Sequence, residues 1–334
     1  MGLQFESRCF RPEPRRTLPA RYPEQIVNTT FPGIRIVDVH PLADGLRNAN
    51  FRLQLDSTPA FVVLRIYEHD PSLCGKEVDL LNLIKHSVPT PEVIHAAPSG
   101  FNGLSPFVFL RYVEGITFHE LKRSGDVGSI SQAAHNVGRT LAMIGRTTFP
   151  KSGWLGPGPT VGAPLLEGAN SGTRFVDLCL ASANLQRRLG ADLRDRIQAL
   201  LWSYMSQFAR LDDERCLVHG DFGRRNILVE QVARKWNVTA VLDWEFATSG
   251  SPLTDVGHFL RYECVSRPVA EPHFSEGYLQ TGGKLPDGWR RLARVVDLIA
   301  LCESLTHDEL PHDIVAELVE LVRATVEDRD PQFK

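Results

Sequence analysis

The chain has 334 residues, enough for about two domains at ordinary domain size. Its 43% hydrophobic and 23% charged residues exclude wholesale disorder. Apolar runs such as Phe61–Leu64 and Val295–Cys302 fall far short of the about 20 residues that a membrane-spanning helix needs, and a net charge of −3 argues against a general nucleic-acid binder. Neither membrane nor nucleic acid is therefore expected as a partner. The six cysteines, Cys9, Cys74, Cys179, Cys216, Cys264 and Cys302, show no C-x-x-C spacing. Free thiols in a reducing cytoplasm are the expectation.

In chain order, residues 1–25 are rich in arginine and proline and carry no apolar run of about 7–15 residues. They read as an extended arm and not as a secretory leader. Ile34–His40 and Asn50–Leu55 alternate apolar with polar residues, and Phe61–Tyr67 is rich in β-branched and aromatic side chains, so three strands are predicted. Gly75–His86 predicts a helix with Val78, Leu81 and Ile84 on one face, and Phe107–Val113 predicts another strand. Residues 26–113 thus form a small sheet with one helix. Residues 114–334 are mostly helical. Apolar stripes run through Ile130–Ile144, Leu193–Leu211, Trp289–Thr306 and Ile314–Val326, with a loop rich in Gly and Pro at Gly153–Gly172. Such stripes are core faces.

One stretch breaks the helical pattern. Cys216–Val218, Ile227–Val229 and Val238–Leu242 are short apolar strands inside the helical half. Between the first two runs His219-Gly-Asp221-Phe-Gly-Arg-Arg-Asn226, and Asp243 ends the third. An H-x-D-x-x-x-x-N segment followed by a hairpin and a further Asp is the pattern of a kinase catalytic loop and metal site. Phosphoryl transfer requires these residue types. Asp221 can take the proton of an acceptor hydroxyl. Asn226, five residues on, can curl back and offer its amide oxygen to Mg²⁺, and Asp243 supplies the hard carboxylate oxygen that Mg²⁺ prefers. Gly220 and Gly223 would let the backbone turn tightly. A lone D-x-x-x-x-N would read as a turn with Asp and Asn as turn formers; the coincidence of His, both glycines, flanking strands and the strand-terminal Asp separates this one.

The segments HGDFGRRNILV, VLDWEF and PLTDVGHFLR resemble the aminoglycoside phosphotransferase and choline kinase family, the small-molecule branch of the kinase-like fold. The resemblance spans residues 30–310 and is most specific at 217–260. It implies an α+β, bilobal protein-kinase-like fold with a small N-terminal β-sheet lobe (26–113) and a mostly helical C-terminal lobe (114–334), with ATP or GTP as co-substrate and Mg²⁺. It also implies a basic residue on the third strand paired with a helix Glu. Arg65 holds the first position where Lys is commoner, and Glu77 is the best partner for the second. Arg is flat, carries five donors and keeps its charge, so it can clamp phosphate with a different geometry.

The loop Leu42–Phe51 sits where phosphates would be covered. Gly45 allows a positive φ there, and Asn48 and Asn50 can let backbone N–H groups approach phosphate. The loop lacks G-x-G-x-x-G, and by itself it is equally a plain hairpin loop. The resemblance places the purine against the main chain near Arg111 and Val113, with Leu110 as an apolar wall. It gives His219 and Asp255 supporting roles in the catalytic loop and Glu245 no ligand role. The acceptor is expected to be the hydroxyl of a small molecule, bound by segments 150–190 and 260–310. Residues 265–334 carry 13 acidic and 8 basic side chains, which would suit a polycationic aminoglycoside but equally describe solvated helix faces. A metabolic sugar or amino-alcohol kinase, and a nucleotide-binding pseudokinase without transfer, remain open alternatives.

Overall fold

The computed structural model describes residues 21–42, 48–165 and 171–329. Gly45 and residues 1–20 of the expected arm lie outside the described residues. The last five residues of that arm belong to a helix, α1 (Arg21–Thr30). Strands β1 (Ile36–Pro41), β2 (Ala49–Leu55) and β3 (Phe61–Ile66) follow, then helix α2 (Leu73–Ile84) and strands β4 (Val93–Ala97) and β5 (Phe107–Arg111). The five strands form one antiparallel sheet in the order β1-β2-β3-β5-β4.

Strand parity explains how this sheet serves a site. Phe51, Leu53, Val62, Leu64, Phe107 and Phe109 point to one face and bury Ile26 and Val27 of α1 in a separate core. The opposite face carries Val63 and Arg65 of β3, with Val108 and Leu110 of β5 directly across from Arg65 and Val63. Val108 and Leu110 join the larger core together with Cys74, Leu81 and Ile84 of α2. Both faces being covered, β5 reads as an unbroken apolar run, FVFL, and not as an alternation. Arg65 therefore faces α2 and the helical lobe by register alone.

A two-residue strand, β6 (Ile116–Thr117), leads into α3 (Phe118–Arg123) and α4 (Val127–Ile144). A capping box between Thr117 and Glu120 starts α3, and Asp126 caps α4. Next come β7 (Gly153–Trp154), α5 (Ser171–Ala181), α6 (Ala183–Ser203) and α7 (Met205–Leu211). The stripe predicted as one helix over Leu193–Leu211 is thus divided at Tyr204, whose φ of −106° is not helical.

Then follow β8 (Cys216–Val218), β9 (Ile227–Val232), β10 (Lys235–Val241), β11 (Thr248–Gly250), α8 (Leu253–Leu260), α9 (His273–Gln280), α10 (Trp289–Ser304) and α11 (His312–Val326). The β island is two small sheets, β10-β9-β6 and β7-β11-β8. Strands β8 and β9 do not pair with each other; the loop from His219 to Asn226 bridges the two sheets. All five described cysteines are free thiols. Among the described residues no helix is long and apolar enough to cross a membrane.

Candidate active site

The loop after β8 is held from several sides. Gly220 has φ +78°, and a Cβ there would lie 2.3 Å from the Phe246 carbonyl oxygen, so both conformation and space require glycine. Asp255, in the first turn of α8, accepts the backbone N–H groups of His219 (2.7 Å) and Gly220 (3.0 Å). Burial pushes the Asp255 carboxyl up to about 7 against the opposing pull of these two hydrogen bonds, and the nearby Asp221 charge adds to the rise. His219 is fully buried. Its Nδ1 accepts the Asp221 N–H at 3.2 Å, so the ring proton sits on Nε2, which donates to the Leu242 carbonyl at 2.9 Å. With one nitrogen on the Asp221 N–H and the other on the Leu242 carbonyl, the His219 ring ties the loop to the segment that follows β10.

Asn226 donates its amide nitrogen twice, to the Asp221 carbonyl (2.8 Å) and to Asp221 Oδ2 (2.9 Å). The planar amide then points its oxygen away from Asp221. The Asn226 carbonyl accepts the Leu242 N–H at 2.8 Å, which fastens the loop's end beside Asp243. Asp243 has φ +68°, a left-handed conformation uncommon outside glycine, directly after β10. That turn brings its carboxylate back toward the sheet lobe.

There it meets Arg65. The guanidinium NH2 lies 2.8 Å from Asp243 Oδ1 and 3.3 Å from Glu245 Oε2, and its Nε lies 3.2 Å from Glu77 Oε2. The expected Arg65–Glu77 pair is present as an ion pair, yet Nε is not aimed along a hydrogen bond. Glu77 instead accepts the Tyr67 hydroxyl and the Trp244 N–H (3.2 Å), so it anchors the turn that carries Asp243. Burial opposes the charge on Arg65, but Glu77, Asp243 and Glu245 outweigh it and hold the guanidinium more firmly protonated than usual. Asn48, one of the two expected loop amides, donates to Glu245 Oε2 at 2.6 Å; Asn50 donates to the Asn48 carbonyl at 3.5 Å.

Sequence reading assigns no part to Lys76, and the structure buries it here. Its ammonium donates to the Glu245 carbonyl at 2.7 Å, and burial pulls it down to about 8 against the attraction of Glu77 and Glu245. The cluster of Arg65, Lys76, Glu77, Asp243 and Glu245 carries one more negative than positive charge with Lys76 protonated. Its carboxylates are hard donors of the kind a divalent cation takes, and Asp243, 20% exposed, is the most open of the three. At the far end of the cleft the Arg111 N–H is spent on the Glu92 carbonyl (2.8 Å), whereas the main chain of Val113 makes no hydrogen bond among the described residues.

On the opposite side of Asp221, His258 of α8 places Nε2 3.2 Å from Oδ1. Arg224, though in the loop, turns away into an ion pair with Glu263 (2.6 Å), which Lys122 of α3 shares (2.8 Å). His258 lies one helical turn after Asp255, and that spacing is the signal that could have flagged it.

The model of the phosphotransferase enzyme family matches residues 38–295. The chain belongs to that family. Solved structures with its fold include the GDP complex of wild-type aminoglycoside 2'-phosphotransferase-IIIa, with a TM-score of 0.68 and 18% identity over 92% of this chain and 98% of that one. A thermostable mutant of the aminoglycoside phosphotransferase APH(4)-Ia, in a ternary complex with AMP-PNP and hygromycin B, gives a TM-score of 0.64 and 20% identity over 91% and 97%. These likenesses show the bilobal kinase-like fold. Among curated proteins, acyl-CoA dehydrogenase family member 11 of Mus musculus is 53% identical over 47 residues, which is 14% of this chain and 6% of that protein. Its Homo sapiens counterpart is 37% identical over 75 residues, 22% and 9%. The chain spans only a small part of the length of those relatives.

Proposed function

We propose that the protein transfers the γ-phosphoryl group of ATP or GTP to a hydroxyl of a small molecule, with Mg²⁺ as the metal. The observation that carries this reading is the loop geometry: Asn226 holds the Asp221 carboxylate at 2.9 Å, and the Asn226 backbone carbonyl accepts the Leu242 N–H, which sets Asp243 next to the loop. Asn226 and Asp243 would hold the cation, which when bound offsets charge on the phosphates. Among the described residues no group of three or more His, Cys, Asp or Glu is arranged to hold a metal. Two protein oxygens with phosphate and water completing the shell suit Mg²⁺, which keeps several waters.

Asp221 takes the proton of the acceptor hydroxyl as that oxygen bonds to the γ-phosphorus. The bond to the bridging β–γ oxygen breaks, and the nucleoside diphosphate leaves with the electron pair. Arg65 places positive charge at the phosphates, with Glu77 and Glu245 fixing its plane and Asn48 tying the covering loop to Glu245. The main chain of Val113 is left to meet the purine, beside Leu110. That related folds bind GDP, AMP-PNP and hygromycin B supports a nucleotide co-substrate and a hydroxyl-bearing acceptor. The sheet lobe and helical lobe divide near residue 113 on this reading.

The test is nucleotide consumption across aminoglycosides, macrolides, sugars and amino alcohols, with Asp221→Asn as the blank. Turnover on one class, absent from the blank, establishes the function. Binding of neither ATP nor GTP, with or without Mg²⁺, removes it.

A further inference from the structure

We propose that His258 is a positioning residue for the transfer step, holding Oδ1 of Asp221 so that the carboxylate meets the acceptor hydroxyl in a single orientation. The inference rests on Asp221 being the base. An ionised carboxylate only accepts hydrogen bonds, so for His258 to hold Oδ1, 3.2 Å from its Nε2, the ring proton must sit on Nε2. Asn226 donates to the other oxygen at 2.9 Å. With Asn226 on one oxygen and His258 beside the other, the two side chains flank the carboxylate from opposite sides. A carboxylate held by Asn226 alone could swing about χ2, a broad torsion.

The mounting of His258 is rigid. Asp255 and His258 stand three residues apart on α8, so one helix face grips the loop twice: Asp255 through the backbone of His219 and Gly220, His258 through the side chain of Asp221. Helix α8 is in turn seated on α10. A Cβ at Gly257 would lie 2.4 Å from the Ala293 carbonyl oxygen, and Arg261 binds both carboxylate oxygens of Asp297 at 2.8 and 2.7 Å.

The loop also passes close to the ring. A Cβ at Gly223 would lie 3.4 Å from His258 Nε2 and 3.8 Å from Asp221 Oδ1. Gly223 is not in the left-handed region, and a Cβ there would make ordinary van der Waals contact with the imidazole. His258 differs in this from His219, whose two nitrogens are spent on loop backbone. The side chain of His258 is 19% exposed beside the reacting carboxylate.

The test compares His258→Leu, which keeps the volume but has no donor, with His258→Gln, whose amide nitrogen reaches the Nε2 position. Phosphate release from Mg²⁺–ATP and Mg²⁺–GTP is followed with water and with the hydroxyl compounds of the screen as acceptors. His258→Leu is expected to lower kcat by about tenfold or more with nucleotide KM unchanged, because a mis-set base loses part of the about 10²–10⁴ that general base catalysis contributes. His258→Gln is expected to recover most of it.

A second readout needs no turnover. Imidazole ¹⁵N NMR at pH 8 is expected to show His258 wholly in the Nε2–H tautomer, and Asp221→Asn is expected to abolish that preference, since an amide can donate as well as accept. Wild-type kcat in His258→Leu, a loss confined to nucleotide KM, or a wild-type Nδ1–H tautomer overturns the inference alone. A wild type with no transfer to any acceptor overturns the kinase reading and this inference with it.

Discussion

Replacing Asp255 by Asn tests how the catalytic loop is held. Asp255 is fully buried and accepts two backbone N–H groups, one on each oxygen. Asn keeps one acceptor and turns an NH₂ group against the second N–H, leaving a buried donor unsatisfied at about 1–3 kcal/mol. The carboxyl is raised by burial from 3.8 to about 7, so between those values the native state holds a proton that the unfolded state has lost. Stability then falls as pH rises, because the native state binds more protons, and it levels off above about 7. From pH 5 to 7 that is two pH units at about 1.4 kcal/mol each, close to 3 kcal/mol in all. Asn does not titrate. Its deficit relative to wild type should therefore be present at pH 5 and shrink by about 3 kcal/mol by pH 8. Urea unfolding of both proteins at pH 5, 6, 7 and 8 measures the difference, in which other titrating groups largely cancel. A gap that stays constant, or widens with pH, would refute the argument and mean that Asp255 is ionised in the folded protein throughout.

Four further outcomes are expected. Asp221→Asn should lower transfer by about 10²–10⁴ while calorimetric nucleotide affinity stays near wild type, because Asp221 faces the acceptor hydroxyl. Arg65→Ala and Glu77→Ala should each weaken nucleotide binding, Glu77→Ala less, and a double-mutant cycle should show coupling, since the pair shares Asp243 through Arg65 itself and through the Trp244 N–H. Lys76→Met should remove a stability term that otherwise grows from about pH 8 to 10.5: in that window the unfolded lysine holds a proton that the buried one has released, so wild type gains on the variant as pH rises in thermal melts. Chelating Mg²⁺ should weaken nucleotide binding in the wild type and matter little in Asp243→Ala, which titration calorimetry with and without the metal resolves.

The sequence by itself determined the family and most of the elements. Period-two alternation carries β2, a β-branched run carries β3 and an unbroken apolar run carries β5, while 3–4-residue stripes carry α4, α10 and α11, because the number of buried faces sets the pattern. His219, Asp221, Asn226 and Asp243 were legible as a set because the loop that holds them is continuous and their spacing is local. Helices α1, α3 and α9 and strand β4 were not read; they are short or carry no long stripe, and tertiary packing decides them. The same holds for the partners of Arg65. Strand parity puts it on the cleft face, but only the left-handed turn at Asp243 brings that carboxylate, and Glu245 two residues on, within 3.3 Å of the guanidinium. The contact of His258 with Asp221 spans 37 positions in the chain and depends on how α8 sits against α10 and the loop. No local pattern encodes such a distance, since what sets it is the packing of separate elements across the core.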